Sequence, residues 1–285
     1  METKYSKFRS LAKFIILFGV IFCLDAGYPD GASAESAPVL KARVLKARPH
    51  NRDHFTEGLF FHKGSLFESS GMYKLSLIAK KDPKTGATLV ERKLAARYFA
   101  EGCTVVGNSI YLLTWHENTA LILDAETLEQ TGSFQYAGDG WGLAHDGEKL
   151  IRSDGTDTLY FHAPDGRELG KVKVRDGEVP VERINEMEWA PDERLLLAHI
   201  WKTPRIAAID IESGQVRFWL ESPQPAEEYV EKDRMIGARR VKAREMVPNG
   251  MALAPDGKSL WITGKCWPEI YQVAWPPELE KIAPR

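Results

Sequence analysis

From about residue 50 onward, short apolar runs alternate with turn signals, and the arrangement returns five times. Glu57-Gly58-Leu59, Glu101-Gly102-Cys103, Trp141-Gly142-Leu143, Asn185-Glu186-Met187 and Asn249-Gly250-Met251 each open a run. Turns follow at Lys63-Gly64, Gly107-Asn108, Asp146-Gly147, Pro191-Asp192 and Pro255-Asp256-Gly257. Second runs are anchored at Leu66, Ile110, Leu150, Leu196 and Leu260, spaced by 44, 40, 46 and 64 residues. Most units add a third run, such as Leu121-Ile122-Leu123-Asp124 or Ile206 to Asp210, and another turn. Turn signals at this density between β-branched and aromatic runs mean antiparallel strands.

A period in the forties with about four strands per unit predicts propeller blades. The expected fold is therefore all-β, a five-bladed β-propeller. The fifth unit ends at Tyr271 to Trp275, one strand short, while Val39 to Arg48 is a strand-like stretch at the other end of the chain. Pairing the two closes the last blade with the N-terminal strand and covers an edge. The extra length within Glu221 to Val247 reads as an insertion, partly helical. Its cluster from Arg239 to Arg244 reads as a solvated face rather than a binding patch.

With 285 residues, 44% of them hydrophobic, the chain can bury one sizeable core. A formal charge of −2 offers no basic excess, so no nucleic-acid partner is expected. Lys4, Lys7, Arg9 and Lys13 precede an apolar run of eleven residues, Phe14 to Leu24, and Ala32-Ser33-Ala34 offers a small-x-small cleavage site. That run is well short of the roughly 20 residues that cross a bilayer. Residues 1–34 are therefore expected to be a signal peptide and 35–285 a single propeller domain, periplasmic or secreted, with no stable membrane contact after cleavage. Cys103 and Cys266 then remain; one bridge or two buried thiols are both compatible with the sequence.

The repeat also locates a site. In an antiparallel blade the start of the innermost strand and the end of the second lie at one face. The first column reads Glu57, Glu101, Trp141, Asn185, Asn249; the second reads Gly71, Trp115, Gly155, Trp201, Lys265. Both converge on one mouth of the axis. Apolar residues would plug a pore at lower cost than charges that must be paired, so the mixture points to a pocket. No HExxH spacing and no GxSxG elbow occurs. Gly138 to Gly142 reads as a turn into a strand rather than a phosphate loop.

The phrases that carry these columns are HFTEGL (54–59), LFESSGMY (66–73), FAEG (99–102), LTW (113–115), GWGL (140–143), SDGT (153–156), INEME (184–188) and GKCWP (264–268). Over about residues 50 to 275 the chain resembles the plant and bacterial type of glutaminyl-peptide cyclotransferase. The resemblance implies a cofactor-free acyltransferase of the aminoacyl type, acting as a monomer on peptides or proteins with an N-terminal glutamine. It implies conversion of that glutamine to pyroglutamate with release of ammonia, without a metal. By motif, Glu101 is the implied catalytic carboxylate and Asn185 and Lys265 help to complete the pocket; on the chemistry, Lys265 or Asn185 supplies the donor for the tetrahedral oxyanion. Trp115, Trp141 and Trp201 are the implied walls of the substrate pocket, completed by Phe55 and Phe99. Two positions depart from the family: Glu57 stands beside the substrate where glutamine is usual, and Ala79 where arginine is frequent.

Two other classes remain open from the residues alone. Glu57, Glu101, Asn185 and Asn249 carry oxygens that suit Ca²⁺ in a propeller lactonase or related hydrolase, although Lys265 and three tryptophans are poor company for a hydrated cation. A non-catalytic peptide-binding propeller is the other, and Glu57 is its best argument.

Overall fold

The computed structural model describes residues 36–230 and 232–274. The expected signal segment lies outside them. The apolar runs become five antiparallel sheets arranged as blades. Blade 1 consists of Thr56–His62, Ser65–Ser70, Leu77–Lys81 and Thr88–Lys93. Blade 2 consists of Ala100–Val106, Ser109–Thr114, Thr119–Asp124 and Gln130–Gln135. Blade 3 consists of Leu143–His145, Leu150–Ser153, Thr158–His162 and Glu168–Lys173. Blade 4 follows with Ile184–Ala190, Leu195–Ile200, Arg205–Ile209 and Val216–Glu221, and blade 5 with Pro248–Leu253, Ser259–Gly264 and Glu269–Ala274. In each blade the first strand is innermost.

Local chemistry sets these hairpins. The turn from third to outer strand recurs around an aspartate whose carboxylate accepts backbone N–H groups two and three residues on. Asp82 accepts from Lys84 at 2.7 Å, Asp124 from Thr127 at 2.8 Å and Asp210 from Glu212 at 3.0 Å. Four residues after each aspartate the chain turns left-handed, at Gly86, Leu128 and Gly214, with φ of 74°, 59° and 75°. Only Leu128 bears a side chain there, a conformation that costs roughly 1–2 kcal/mol.

Neighbouring blades meet face to face through apolar clusters, and all five junctions are filled. Phe60, Phe67 and Ile78 pack on Cys103, Ile110 and Leu112 between blades 1 and 2. Leu197 and Phe218 pack on Met251 and Leu260 between blades 4 and 5, and Leu59 and Leu66 pack on Ala252 and Trp261 where blade 5 meets blade 1. Near the axis the inner strands approach so closely that the glycine after the column residue is required. A Cβ on Gly142 would lie 1.9 Å from the Asn185 carbonyl oxygen, and one on Gly102 would lie 2.5 Å from the Leu143 nitrogen. Blade 4 carries Glu186 at this place; its buried carboxyl accepts the Met251 N–H of blade 5 at 3.0 Å.

The ring closes as expected, with one correction. Arg43–Pro49 pairs antiparallel with Glu269–Ala274 and completes blade 5. Val39–Lys41, which the sequence pattern also assigned to blade 5, pairs in parallel with Val216–Glu221 and gives blade 4 a fifth strand. Splitting the segment covers the outer edges of two blades. The insertion is helical only in part, as expected. It holds one helical turn, Glu227–Val230, a hairpin of Arg234–Ile236 with Arg239–Val241, and a 3-10 turn at Ala243–Glu245. Cys103 and Cys266 are both buried and free, and burial pushes each thiol up to about 12. Among the described residues no helix is long and apolar enough to cross a membrane.

Candidate active site

In blades 1, 2, 4 and 5 the first-column residue is the second residue of its inner strand, and there the ladder to the next strand slips. Thr56 pairs with Ser70 but Gly58 already pairs with Ser69; Ala100 pairs with Thr114 and the ladder resumes only at Cys103 with Leu112. Blades 4 and 5 repeat the slip between Ile184 and Met187 and between Pro248 and Met251. A bulge of this kind bends the strand and re-aims a side chain, which is how Glu57, Glu101 and Asn185 come to face the axial mouth. The second column sits just beyond the second strands. Trp201 and Lys265 are each followed by a residue in the left-handed region, Lys202 at φ 63° and Cys266 at φ 61°, which turns the chain away from the mouth. The column glycines make room: a Cβ on Gly71 would lie 2.3 Å from the Phe99 ring, and one on Gly155 would lie 2.7 Å from the Trp141 indole.

The result is a cavity of about 370 Å³. Of the residues singled out from the sequence, Phe55, Glu57, Phe99, Glu101, Trp115, Trp141, Asn185, Trp201 and Lys265 line it. Trp141 stands edge to face on Trp201 with centroids 5.5 Å apart, and Phe99 stands likewise on Trp115 at 5.5 Å and on Phe55 at 6.4 Å. Asn249 lies behind this wall. A larger groove, about 1050 Å³, runs along the flank of blades 3 and 4, lined by turn residues such as Glu148, Arg194 and Glu212. No column residue reaches it. His116 is exposed and stacks on Trp115, and His199 is buried in blade 4 with burial holding it near 3, hence neutral.

The two carboxyls of the cavity differ in support. Glu57 Oε1 accepts from the Lys265 ammonium at 2.8 Å and its Oε2 from the Asn249 amide at 2.8 Å. Asn185 donates to the Asn249 side-chain oxygen at 2.9 Å, so the amides form a chain ending on Glu57. Glu101 has no such donors among the described residues; its side-chain hydrogen bond is with Glu57. Burial raises both carboxyls above their ordinary value. Lys265 counteracts this at Glu57, whereas the neighbouring Glu57 charge pushes Glu101 further, well above the carboxylate range. Of the two, Glu101 is the carboxyl pushed further toward its protonated form, because it lacks the donors that serve Glu57.

A family profile for glutamine cyclotransferases matches residues 19–275. The chain belongs to the glutamine cyclotransferase family. It is 32% identical over 276 residues to a glutaminyl-peptide cyclotransferase of Arabidopsis thaliana, covering 94% of this chain and 83% of that protein. The crystal structure of Myxococcus xanthus glutaminyl cyclase superposes with a TM-score of 0.73 at 31% identity, over 83% of this chain and 97% of that one.

Within this cyclotransferase fold, sequence reasoning missed one group of cavity residues: Lys202, Arg239, Lys242, Arg244 and Glu245 line it as well. The basic cluster of the insertion is thus exposed, as expected, but it is not merely a solvated face. A signal for this existed. The insertion leads into the inner strand of blade 5, and inner strands begin at the face where the columns converge. Ala79, the other departure from the cyclotransferase pattern, lies opposite Glu68 in the ladder of blade 1 and does not line the cavity.

Proposed function

We propose that the protein converts the N-terminal glutamine of peptides to pyroglutamate and releases ammonia, using Glu101 as the proton carrier and no metal. The observation that supports this best is the pair of buried carboxyls in an aromatic-walled cavity, one served by a lysine and an amide and the other without such donors. In the reaction the α-amine forms a bond to its own side-chain amide carbon, closing a five-membered ring, and the carbon–nitrogen bond to the leaving amide nitrogen breaks. The attacking nitrogen must lose one proton and the departing nitrogen must gain one. Protonated Glu101 supplies the acid, and the carboxylate so formed recovers a proton from the amine nitrogen, so the site ends as it began. The tryptophan and phenylalanine walls fold the glutamine side chain back on the amine by shape. Lys265 spends one of its three donors on Glu57, and Asn185 one of its two on Asn249; the remaining N–H groups serve the oxyanion.

The Ca²⁺ reading is disfavoured by the same contacts. Glu57 already holds the Lys265 ammonium and the Asn249 amide, so its oxygens are engaged. The expected result is ammonia release from glutaminyl dipeptide by the purified mature chain, undiminished after EDTA. Activity lost to chelator and restored by one metal would overturn the metal-free mechanism; a chain that binds the dipeptide without turnover would be a binding propeller. We place the reaction outside the cytoplasm on the strength of the export-type N-terminus.

A further inference from the structure

The insertion before blade 5 forms one rim of the cavity, and it is fastened down. Arg234 donates to the Arg52 carbonyl at 2.9 Å and pairs with Asp53 at 2.6 Å; Arg52 donates to the Tyr229 carbonyl at 2.8 Å. Val241 and Met246 are buried against Phe55 and Phe99, the cavity's own walls. The Trp267 indole donates to the Met246 carbonyl at 3.0 Å, and the Lys265 N–H donates to the Val247 carbonyl at 3.0 Å. The segment thus holds its charges in fixed places.

Those charges are one-sided. Lys202, Arg239, Lys242 and Arg244 line the opening against a single acid, Glu245. Glu245 is occupied: one oxygen pairs with Arg239 at 3.3 Å and the other accepts the Lys242 backbone N–H at 2.9 Å. Lys202 lies 4.0 Å over the Trp201 ring. Lys202, Lys242 and Arg244 are all exposed and form no ion pair within 4.0 Å among the described residues. Asp233, whose carboxyl Lys242 helps to lower, already accepts from Arg240 at 2.7 Å and from the Ala243 N–H at 2.9 Å. On other blades Glu117 and Asp139 are engaged by Tyr73 and His116, and neither lines the cavity.

A peptide whose N-terminal glutamine lies between the tryptophans, with its amide beside Glu101, must leave past this rim. We infer that Lys202, Lys242 and Arg244 select for acidic residues directly after the N-terminal glutamine. The inference deepens the cyclase reading and rests on it. Long-range attraction raises capture more than the chemical step, and exposed charges lose it to screening. The preference therefore belongs in kcat/KM and falls with salt.

The test compares Gln-Asp-Ala-amide, Gln-Ala-Ala-amide and Gln-Lys-Ala-amide, amidated so that no terminal carboxylate mimics the effect. At low ionic strength kcat/KM should fall in that order, by about five- to tenfold from first to last, the sum of a few exposed charge pairs. Half-molar NaCl should compress the series, and Lys242→Glu with Arg244→Glu should invert it. Equal kcat/KM for all three, or a series untouched by charge reversal, overturns the selection while leaving the cyclase reading in place. Ammonia from none of the three overturns both.

Discussion

Glu68 and Glu101 lie in adjacent blades, both out of water, and their charges are handled in opposite ways. Glu68 is wholly buried and receives His50 Nε2 at 2.9 Å, His54 Nδ1 at 3.0 Å, the Thr56 hydroxyl at 2.7 Å and the Lys81 ammonium. Although burial alone would raise it, Lys81 and the two histidines hold this carboxyl well below its ordinary value. Together His50, His54 and Glu68 also resemble a metal ligand set, their donor atoms within 4.8 Å of one another. Lys81 occupies that position, so the cluster works as a filled ion pair. It ties the N-terminal strand, through His50, to the HFTEGL phrase that leads into Glu57. Glu101 has a cavity on one side and a second carboxyl on the other. Burial by itself therefore says little about the charge of a carboxyl; the supply of donors decides it. A fully satisfied cluster is scaffold, and an under-supplied one is a place for proton transfer.

The comparison breaks most visibly at Glu101. Glu101→Gln keeps size and one acceptor but carries no transferable proton, and turnover of a glutaminyl dipeptide should fall by about 10²–10⁴-fold, with an unchanged circular dichroism spectrum. A tolerated Glu101→Gln beside an inactive Glu57→Gln would exchange the roles of the two residues.

Glu68→Gln should do the reverse and act on stability. It leaves the Lys81 cation buried without its counter-charge, at a cost of about 3–5 kcal/mol in denaturant unfolding. The sign with pH follows from the depressed carboxyl. Its contribution is present above the unfolded-state value and lost as pH falls through the folded one. The gap between wild type and Glu68→Gln should therefore be widest near neutrality and close in acid. A constant gap would assign the loss to packing.

Glu57→Gln sharpens the contrast within the cavity. It removes the charge beside Glu101, so the limb of the kcat profile on which Glu101 loses its proton should move to lower pH, with activity retained. An unmoved limb would detach Glu101 from that titration.

The smallest effect is expected at Glu186, buried like Glu68 but without a cation. Burial raises its carboxyl well above the ordinary value. Above the unfolded-state value the unfolded chain releases a proton that folding must take back, so this residue costs stability increasingly as pH rises toward its folded value. Glu186→Gln, which keeps an acceptor for the Met251 N–H, should melt about 2–4 °C higher than wild type at pH 8 and show no advantage at pH 4. A pH-independent difference would show that the carboxyl is not neutral in the fold.

Much of this protein was legible in its sequence because the signals are local. Strand alternation, Asp- and Gly-centred turns and a recurring opening phrase determined the blades, their number and the closure by the N-terminal segment. The same repeat placed Glu57, Glu101, Asn185 and the tryptophans at one mouth, since residues at equal positions of equivalent strands must share a face. What only the tertiary structure decided depends on meetings between distant residues. Glu57 and Lys265 are 208 positions apart, so nothing local announces that one carboxylate of the cavity is paired and its neighbour is left without donors. The folding of Arg239–Arg244 over the opening depends on Val241 finding Phe55 and Phe99, and the division of Val39–Pro49 between two blades depends on two exposed edges lying side by side. Charge compensation and edge covering are properties of proximity in space, and spacing along the chain does not encode them.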